Sequence, residues 1–136
     1  MSRFAIVASE YNSVIMDRLI AGAKRALKDH EHTVIRVPGA FELPLASKRA
    51  ALSKKYDAIV ALGCVLRGET PHFEYISTAA TNGLEHVALE TGIPIGFGVL
   101  TVDKVDQAME RSGESGNKGF EAATAALEMI NVLRQI

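Results

Sequence analysis

The chain is poor in cysteine, in aromatic residues and in unbalanced charge. Among its 136 residues there is one Cys, no Trp and 6% aromatic residues, and 15 basic residues against 16 acidic ones give a net charge of −1. One cysteine cannot form an intrachain disulfide, which is typical of proteins in a reducing compartment, so we expect a cytoplasmic location. Because no basic run stands out, the sequence argues against nucleic-acid binding through bulk electrostatics.

Targeting, membrane and cofactor patterns are absent as well. No apolar stretch approaches the ~18–20 residues that span a bilayer, and the first residues lack the pattern of a signal peptide. No His or Cys spacing suggests a metal site, and neither a P-loop nor a G-x-G-x-x-G motif occurs, so we expect no metal site and no nucleotide cofactor. The length fits a single domain over residues 1–136.

The chain does contain a regular alternation of strand and helix patterns. Apolar runs predict strands at Arg3–Ser9 and at residues 33–37, 58–64 and 95–100. Helical spacing predicts helices at residues 13–29, 42–53, 72–91, 103–111 and 120–133. This order favours an α/β fold, a three-layer αβα sandwich around a four-stranded parallel sheet with flavodoxin-like winding. Ligands of such sheets bind beyond the carboxyl ends of the strands, so functional residues are expected just after residues 9, 37, 64 and 100.

The segments after the first two predicted strands offer one candidate each. Tyr11 stands in the first loop, where its ring either stacks on a planar ligand or packs on the edge of the sheet. Glu42 lies at the start of a predicted helix, close to Pro44 in its first turn. Its carboxylate either complements the helix dipole or accepts hydrogen bonds from ligand hydroxyls.

The segment after the third strand is the most informative. Thr70 and Pro71 are predicted to be the N-cap and the first residue of a helix, whose N–H groups would form an anion site. His72 would then stand in the first turn, where a helix N-terminus disfavours imidazolium and leaves the ring able to accept a proton. The alternative is a histidine that only caps or packs.

Two cations follow the fourth strand. Arg111 precedes a glycine-rich loop and Lys118 ends it, so the pair could bind a phosphate and a second oxygen, although most such side chains are simply solvated. Taken without further comparison, the four segments predict a site for a small, planar, polar ligand and a phosphate, with one histidine as proton shuttle.

Several motifs together resemble the lumazine synthase family of riboflavin biosynthesis. They are PGAFELP at residues 38–44, GCVLRGETPHFEY at 63–75, GFGVLT at 96–101 and the ER-SG…GNKG pattern at 110–119. The resemblance implies condensation of 5-amino-6-(D-ribitylamino)uracil with 3,4-dihydroxy-2-butanone 4-phosphate. The products are 6,7-dimethyl-8-ribityllumazine, phosphate and water, and the family uses no cofactor. A cofactor-free condensation of this kind depends mainly on positioning and proton transfer.

The resemblance also implies a role for individual residues. His72 transfers protons, Arg111 binds the phosphate together with the N–H groups of Glu69 and Thr70, and Tyr11 stacks on the pyrimidine. The other substrate contacts fall on Ala40, Phe41 and Glu42 for the ribityl chain, on Cys64, Val65 and Leu66 for the pyrimidine side, and on Phe97 and Lys118 from a neighbouring subunit. The family usually has Phe or Trp where this chain has Tyr11, and the loop between Arg111 and Asn117 is one residue shorter than the common pattern.

Two other functions are compatible with parts of the pattern. An archaeal-type riboflavin synthase would dismutate two lumazine molecules, and a catalytically silent homologue would only bind lumazine or flavin. The family also implies a homo-oligomer, either a pentamer or an icosahedral shell of pentamers. The last predicted helix agrees with this, because apolar residues from Ala122 to Leu133 leave it almost no polar face, and 136 residues are too few to cover it.

Overall fold

The computed structural model describes all 136 residues and contains four strands and five helices. The strands are β1 (Arg3–Ser9), β2 (Glu31–Val37), β3 (Ala58–Leu66) and β4 (Ile95–Val102). The helices are α1 (Ser13–Ala26), α2 (Leu43–Leu52), α3 (His72–Thr91), α4 (Val105–Glu110) and α5 (Lys118–Gln135), and a 3-10 turn at Ala40–Glu42 precedes α2. None of the helices is both long and apolar enough to cross a membrane.

The four strands form one parallel sheet in the order β2-β1-β3-β4. This is the flavodoxin-like order, in which the second strand of the chain lies outside the first and later strands add on the other side. The predicted α/β class, the four-stranded parallel sheet and the three-layer arrangement are confirmed. The point where the strand order reverses lies between β1 and β3, and the loops that follow these two strands meet there.

Two hydrophobic clusters cover the two faces of the sheet. One packs Phe4, Ile6 and Leu62 against α1 and α5, and the other packs Val7 and Ile59 against α2 and α3. Successive side chains of a strand point to opposite faces, so the central strands β1 and β3 are apolar at almost every position. This explains the continuous apolar run of β3, whose first eight residues are all buried.

Small residues let α5 lie close to the edge strand β4. A Cβ added at Gly96 would collide with the backbone carbonyl of Ala122, so only glycine permits this approach. One face of α5 is buried through small residues such as Ala122 and Ala126. Its other apolar side chains remain exposed within the single chain, including Phe120 at 41% and Met129 at 42%.

Several predicted boundaries differ from the structure. Helix α1 ends at Ala26 rather than at residue 29, and a hydrogen-bonded turn follows it. Helix α4 is limited to Val105–Glu110, and β2, β3 and β4 extend beyond their apolar runs. Helix α5 begins at Lys118 rather than at residue 120, because the side-chain oxygen of Asn117 accepts a hydrogen bond from the N–H of Phe120 at 3.0 Å. An Asn at this position satisfies an N–H that the first turn leaves unpaired.

Candidate active site

Hydrogen bonds tie the four loops together at the carboxyl edge of the sheet. The N–H of Glu10 donates to the carbonyl of Val37 at 2.8 Å, and the N–H of Arg67 donates to that of Val102 at 2.8 Å. Between these pairs, the side-chain amide of Asn12 donates to the carbonyl of Cys64 at 3.3 Å. The segments that the sequence singled out therefore share one edge, as parallel strand topology requires.

The first loop presents Tyr11 to solvent. Its ring is 68% exposed and does not pack on the edge of the sheet. The following residue, Asn12, has a φ of 64°, a left-handed conformation that Asn tolerates better than most residues, and it is anchored to β3 through its side chain. The anchored neighbour fixes where the exposed aromatic ring leaves the backbone at this edge.

The second loop forms a 3-10 turn that rests on β3. Ala40 is buried, Phe41 is 61% exposed and Glu42 is half-buried at the N-cap position of α2. A Cβ on Gly63 would lie 3.1 Å from Cδ1 of Leu43 and 3.6 Å from the Cβ of Ala40, so the turn and the start of α2 pack directly on β3. The turn thus places Glu42 at the start of a helix, which favours its negative charge.

The end of β3 forms the floor between these two loops. Cys64 and Val65 are buried, and Leu66 is half-buried. Burial raises the pKa of the Cys64 thiol above its ordinary value, because the interior disfavours the thiolate. The Cys64 side chain is therefore neutral, and the residue contacts the first loop through its backbone carbonyl, which accepts from Asn12.

The third loop leads into α3, and His72 is the first residue of that helix. The predicted cap is wrong by one residue: Pro71 occupies the N-cap position, and its carbonyl accepts from the N–H groups of Glu74 and Tyr75. The hydroxyl of Thr70 still accepts from the N–H of His72, at 3.4 Å. The N–H groups of Glu69 and Thr70 donate to no group of the chain, so they remain available to an anion beside His72.

Arg67 is a part of this edge that the sequence did not reveal. Its Nε lies 2.7 Å from a carboxylate oxygen of Asp103, and its guanidinium lies 4.6 Å from the centre of the Phe73 ring. A charged residue directly after a strand end is a weak signal, and its partners Asp103 and Phe73 come from elements that only the folded chain brings together.

Arg111 and Lys118 lie at a different place, beside the edge strand β4. They line a cleft of about 280 Å³ whose other walls are Phe97 and the following residues of β4. The N–H of Lys118 donates to the carbonyl of Arg111 at 2.8 Å, which closes the loop between them. Both side chains are exposed. Their only ionic partners are carboxylates of their own segments, Glu110 and Glu121.

The candidate residues therefore form two groups within one chain. We call the first the histidine half-site; it contains Tyr11, Ala40, Phe41, Glu42, Cys64, Val65, Leu66, Glu69, Thr70 and His72. We call the second the cation half-site; it contains Phe97, Arg111 and Lys118. No member of the histidine half-site lines the cleft of the cation half-site. No group of three His, Cys, Asp or Glu side chains is placed to hold a metal ion.

Comparison with known proteins assigns the family. The model of the 6,7-dimethyl-8-ribityllumazine synthase family matches residues 1–134. The chain belongs to this family. Two proteins named 6,7-dimethyl-8-ribityllumazine synthase, from the Hildenborough and Miyazaki F strains of Nitratidesulfovibrio vulgaris, are 51% and 47% identical to it. Each alignment covers 98% of this chain and 90% of the relative.

Both half-sites fall within the part of the chain that matches the lumazine synthase family. Another depression, of about 560 Å³, lies at the amino ends of β1 and β2, where it is lined by residues such as Arg3, His30 and Lys55. The candidate residues gather instead at the carboxyl edge, where ligands of parallel sheets bind. His30 has a structural role, since its ring packs edge-on against Phe4 and accepts a hydrogen bond from the N–H of Ser2.

Proposed function

We propose that this chain is a 6,7-dimethyl-8-ribityllumazine synthase that joins 5-amino-6-(D-ribitylamino)uracil to 3,4-dihydroxy-2-butanone 4-phosphate. The observation that supports it most is the placement of His72 beside two unpaired N–H groups, at the edge that also presents Tyr11 and Glu42. This arrangement offers a proton-transfer group, an anion site, a stacking surface and a hydroxyl acceptor in a chain of that family. We further propose that residues 1–136 act as one domain in the cytoplasm.

The histidine half-site would contact both substrates. The pyrimidine stacks on Tyr11 and lies along the backbone of Val65 and Leu66. The ribityl hydroxyls donate to Glu42 where the Ala40–Glu42 turn rests on β3. The phosphate of the four-carbon substrate accepts from the N–H groups of Glu69 and Thr70, close to the N-terminus of α3, whose dipole favours its charge.

The reaction needs proton movement rather than a protein nucleophile. The pyrimidine amine attacks the ketone and water leaves to give an imine. Phosphate is then eliminated, and the ribitylamino nitrogen closes the second ring on the remaining carbonyl with loss of a second water. His72 takes up and returns the protons that these steps exchange, since it follows directly on the segment whose free N–H groups would bind the phosphate. Holding two substrates in register lowers the entropic part of the barrier for such a bimolecular step.

A complete site would combine two copies of the chain. Arg111 and Lys118 point into a cleft at the sheet edge that no residue of the histidine half-site lines, so within one chain they cannot complete the phosphate site. The apolar side chains of α5 that remain exposed, such as Phe120 and Met129, supply a surface for a neighbour. We propose a homo-oligomer, a pentamer or a shell of pentamers, in which the cation half-site of one subunit faces the histidine half-site of the next.

The proposed function is tested by mixing the purified protein with both substrates and following phosphate release and lumazine absorbance together. We expect one phosphate for each lumazine formed, with no added metal or cofactor. Tight binding of lumazine without turnover would indicate a silent homologue instead. Formation of riboflavin from lumazine alone would indicate a riboflavin synthase. Either result would overturn the proposal.

A further inference from the structure

Arg67 joins two loops of the carboxyl edge that are far apart in sequence. It is the first residue after β3, and its backbone N–H already donates to the end of β4 at Val102. Its side chain then reaches in two directions, toward Asp103 in the loop after β4 and toward the first turn of α3. These contacts direct the guanidinium toward groups of the chain itself.

On one side, Arg67 contacts the two residues that follow His72. Its guanidinium lies 4.6 Å from the centre of the Phe73 ring, and Nη1 lies 3.6 Å from a carboxylate oxygen of Glu74. Phe73 is itself packed against the hydrophobic cluster under α2 and α3. The guanidinium therefore presses on an anchored ring next to His72, and it restrains the start of α3 where that helix has no side-chain N-cap.

On the other side, the contacts continue toward α4. The Nε of Arg67 donates to Asp103 at 2.7 Å, and the N–H of Asp103 donates to the side-chain carbonyl of Gln107 at 2.7 Å. The backbone carbonyl of Gln107 in turn accepts from Nη1 of Arg111 at 3.0 Å. Arg67 is thus linked to the first turn of α3 by an ion pair and a ring contact, and to the cation half-site by successive hydrogen bonds.

We propose that Arg67 is a positioning residue for His72, acting with Asp103 to hold the first turn of α3 at the distance that proton transfer requires. This role presupposes the proposed function of His72. A planar guanidinium suits it, because one group stacks on Phe73 while its edges pair with two carboxylates. Lysine, a point charge on a flexible stem, cannot make these contacts together.

The role predicts a large effect on turnover with a small effect on stability. The Arg67 and Asp103 side chains are about half exposed, at 48% and 61%, and exposed ion pairs contribute little to folding. Misplacing a catalytic group by about 1 Å, in contrast, can slow a reaction up to ~100-fold. In Arg67→Met we expect kcat to fall about tenfold, with the melting temperature within a few degrees of wild type. Because Tyr11 and Glu42 lie on other loops, the KM for the uracil substrate should stay within about twofold.

Two conservative variants sharpen the test. Asp103→Asn should show a smaller fall in kcat, and Arg67→Lys should recover only part of the loss. Arg3→Met is the matched control, since Arg3 also pairs with an aspartate and has a side chain of similar exposure, 50% against 48%, at the opposite edge of the sheet. Full activity in Arg67→Lys, or an equal loss in Arg3→Met, would overturn the positioning role.

The double variant His72→Ala/Arg67→Met distinguishes an effect of Arg67 through His72 from an effect that is independent of His72. If Arg67 acts through His72, the double variant is no slower than His72→Ala within about twofold. If the losses in kcat of the two single variants multiply in the double variant, Arg67 acts independently of His72, which would contradict the proposal. A wild-type protein that forms no lumazine would refute the proposed function itself, whereas an active wild type with an unaffected Arg67→Met would refute only the role of Arg67.

Discussion

The backbone N–H of Lys118 donates to the backbone carbonyl of Arg111 at 2.8 Å. This bond closes the loop of residues 112–117 and brings two cations to the mouth of one cleft. The side chain of Asn117 holds the loop from within, and only 3% of the surface of this residue is accessible to solvent. The two N–H bonds of its side-chain amide are shared among the carbonyls of Arg18, Ser112 and Gly113, and its oxygen caps α5.

Replacing Asn117 should therefore damage both stability and the cation half-site. Asn117→Ala leaves buried carbonyls without donors and removes a helix cap, for which we expect a loss of about 2–4 kcal/mol in the free energy of unfolding. Chemical denaturation measures this directly. Ser115→Ala, an exposed change in the same loop, is the control and should be neutral within about 0.5 kcal/mol. A neutral Asn117→Ala would contradict the account of the loop.

Removing the Arg111 side chain should weaken the binding of one substrate and leave the binding of the other unchanged. A charge-assisted hydrogen bond contributes about 1.5–3 kcal/mol, so in Arg111→Ala we expect the KM for the butanone phosphate to rise about 10–100-fold. The KM for the uracil substrate should change little. Steady-state kinetics with each substrate varied in turn gives both values, and the exposed Arg49→Ala on α2 is the control. Equal increases in both KM values would count against phosphate binding by Arg111.

Removing the His72 ring should slow the reaction without disturbing the fold. His72 is exposed at the first residue of α3, so His72→Ala should unfold like the wild type while its kcat falls about 10–100-fold. His86→Ala on the same helix is the matched control, since His86 is exposed and pairs only with Glu90. An unchanged rate in His72→Ala would remove this residue from the mechanism.

The sequence predicted the layers of the fold and the edge that holds the site, because period and alternation are local signals. Its prediction of the Thr70 cap was wrong by one residue, since Pro71 had already taken the N-cap position of α3. The separation of Arg111 from His72 within one chain was not predictable, because it depends on β4 lying at the edge of the sheet. The contacts of Arg67 were not predictable for a related reason, because they involve residues such as Asp103 that only tertiary packing brings near.

Cys64 should resist thiol reagents in the folded protein. Burial raises the pKa of its thiol above the ordinary 9.0, so the native state holds the proton more tightly than the unfolded chain does. The stability from this group is complete below the ordinary thiol pKa and is lost as the pH rises through the raised value. At pH ~8 we expect alkylation by iodoacetamide, followed by mass spectrometry, to be at least about tenfold slower than in denaturant. Equal rates would show that the end of β3 is not closed to solvent.

The central claim is that each active site combines the histidine half-site of one subunit with the cation half-site of another, and complementation tests it most directly. His72→Ala and Arg111→Ala subunits are dissociated, mixed in equal amounts and reassembled, and turnover is measured at a butanone phosphate concentration far below the raised KM. With random mixing in a ring, about a quarter of the interfaces combine an intact histidine half-site with an intact cation half-site. The activity of the mixture should therefore rise well above that of either variant alone. If mixed oligomers form and their activity never exceeds the average of the two variants, both half-sites belong to one chain and the account is wrong.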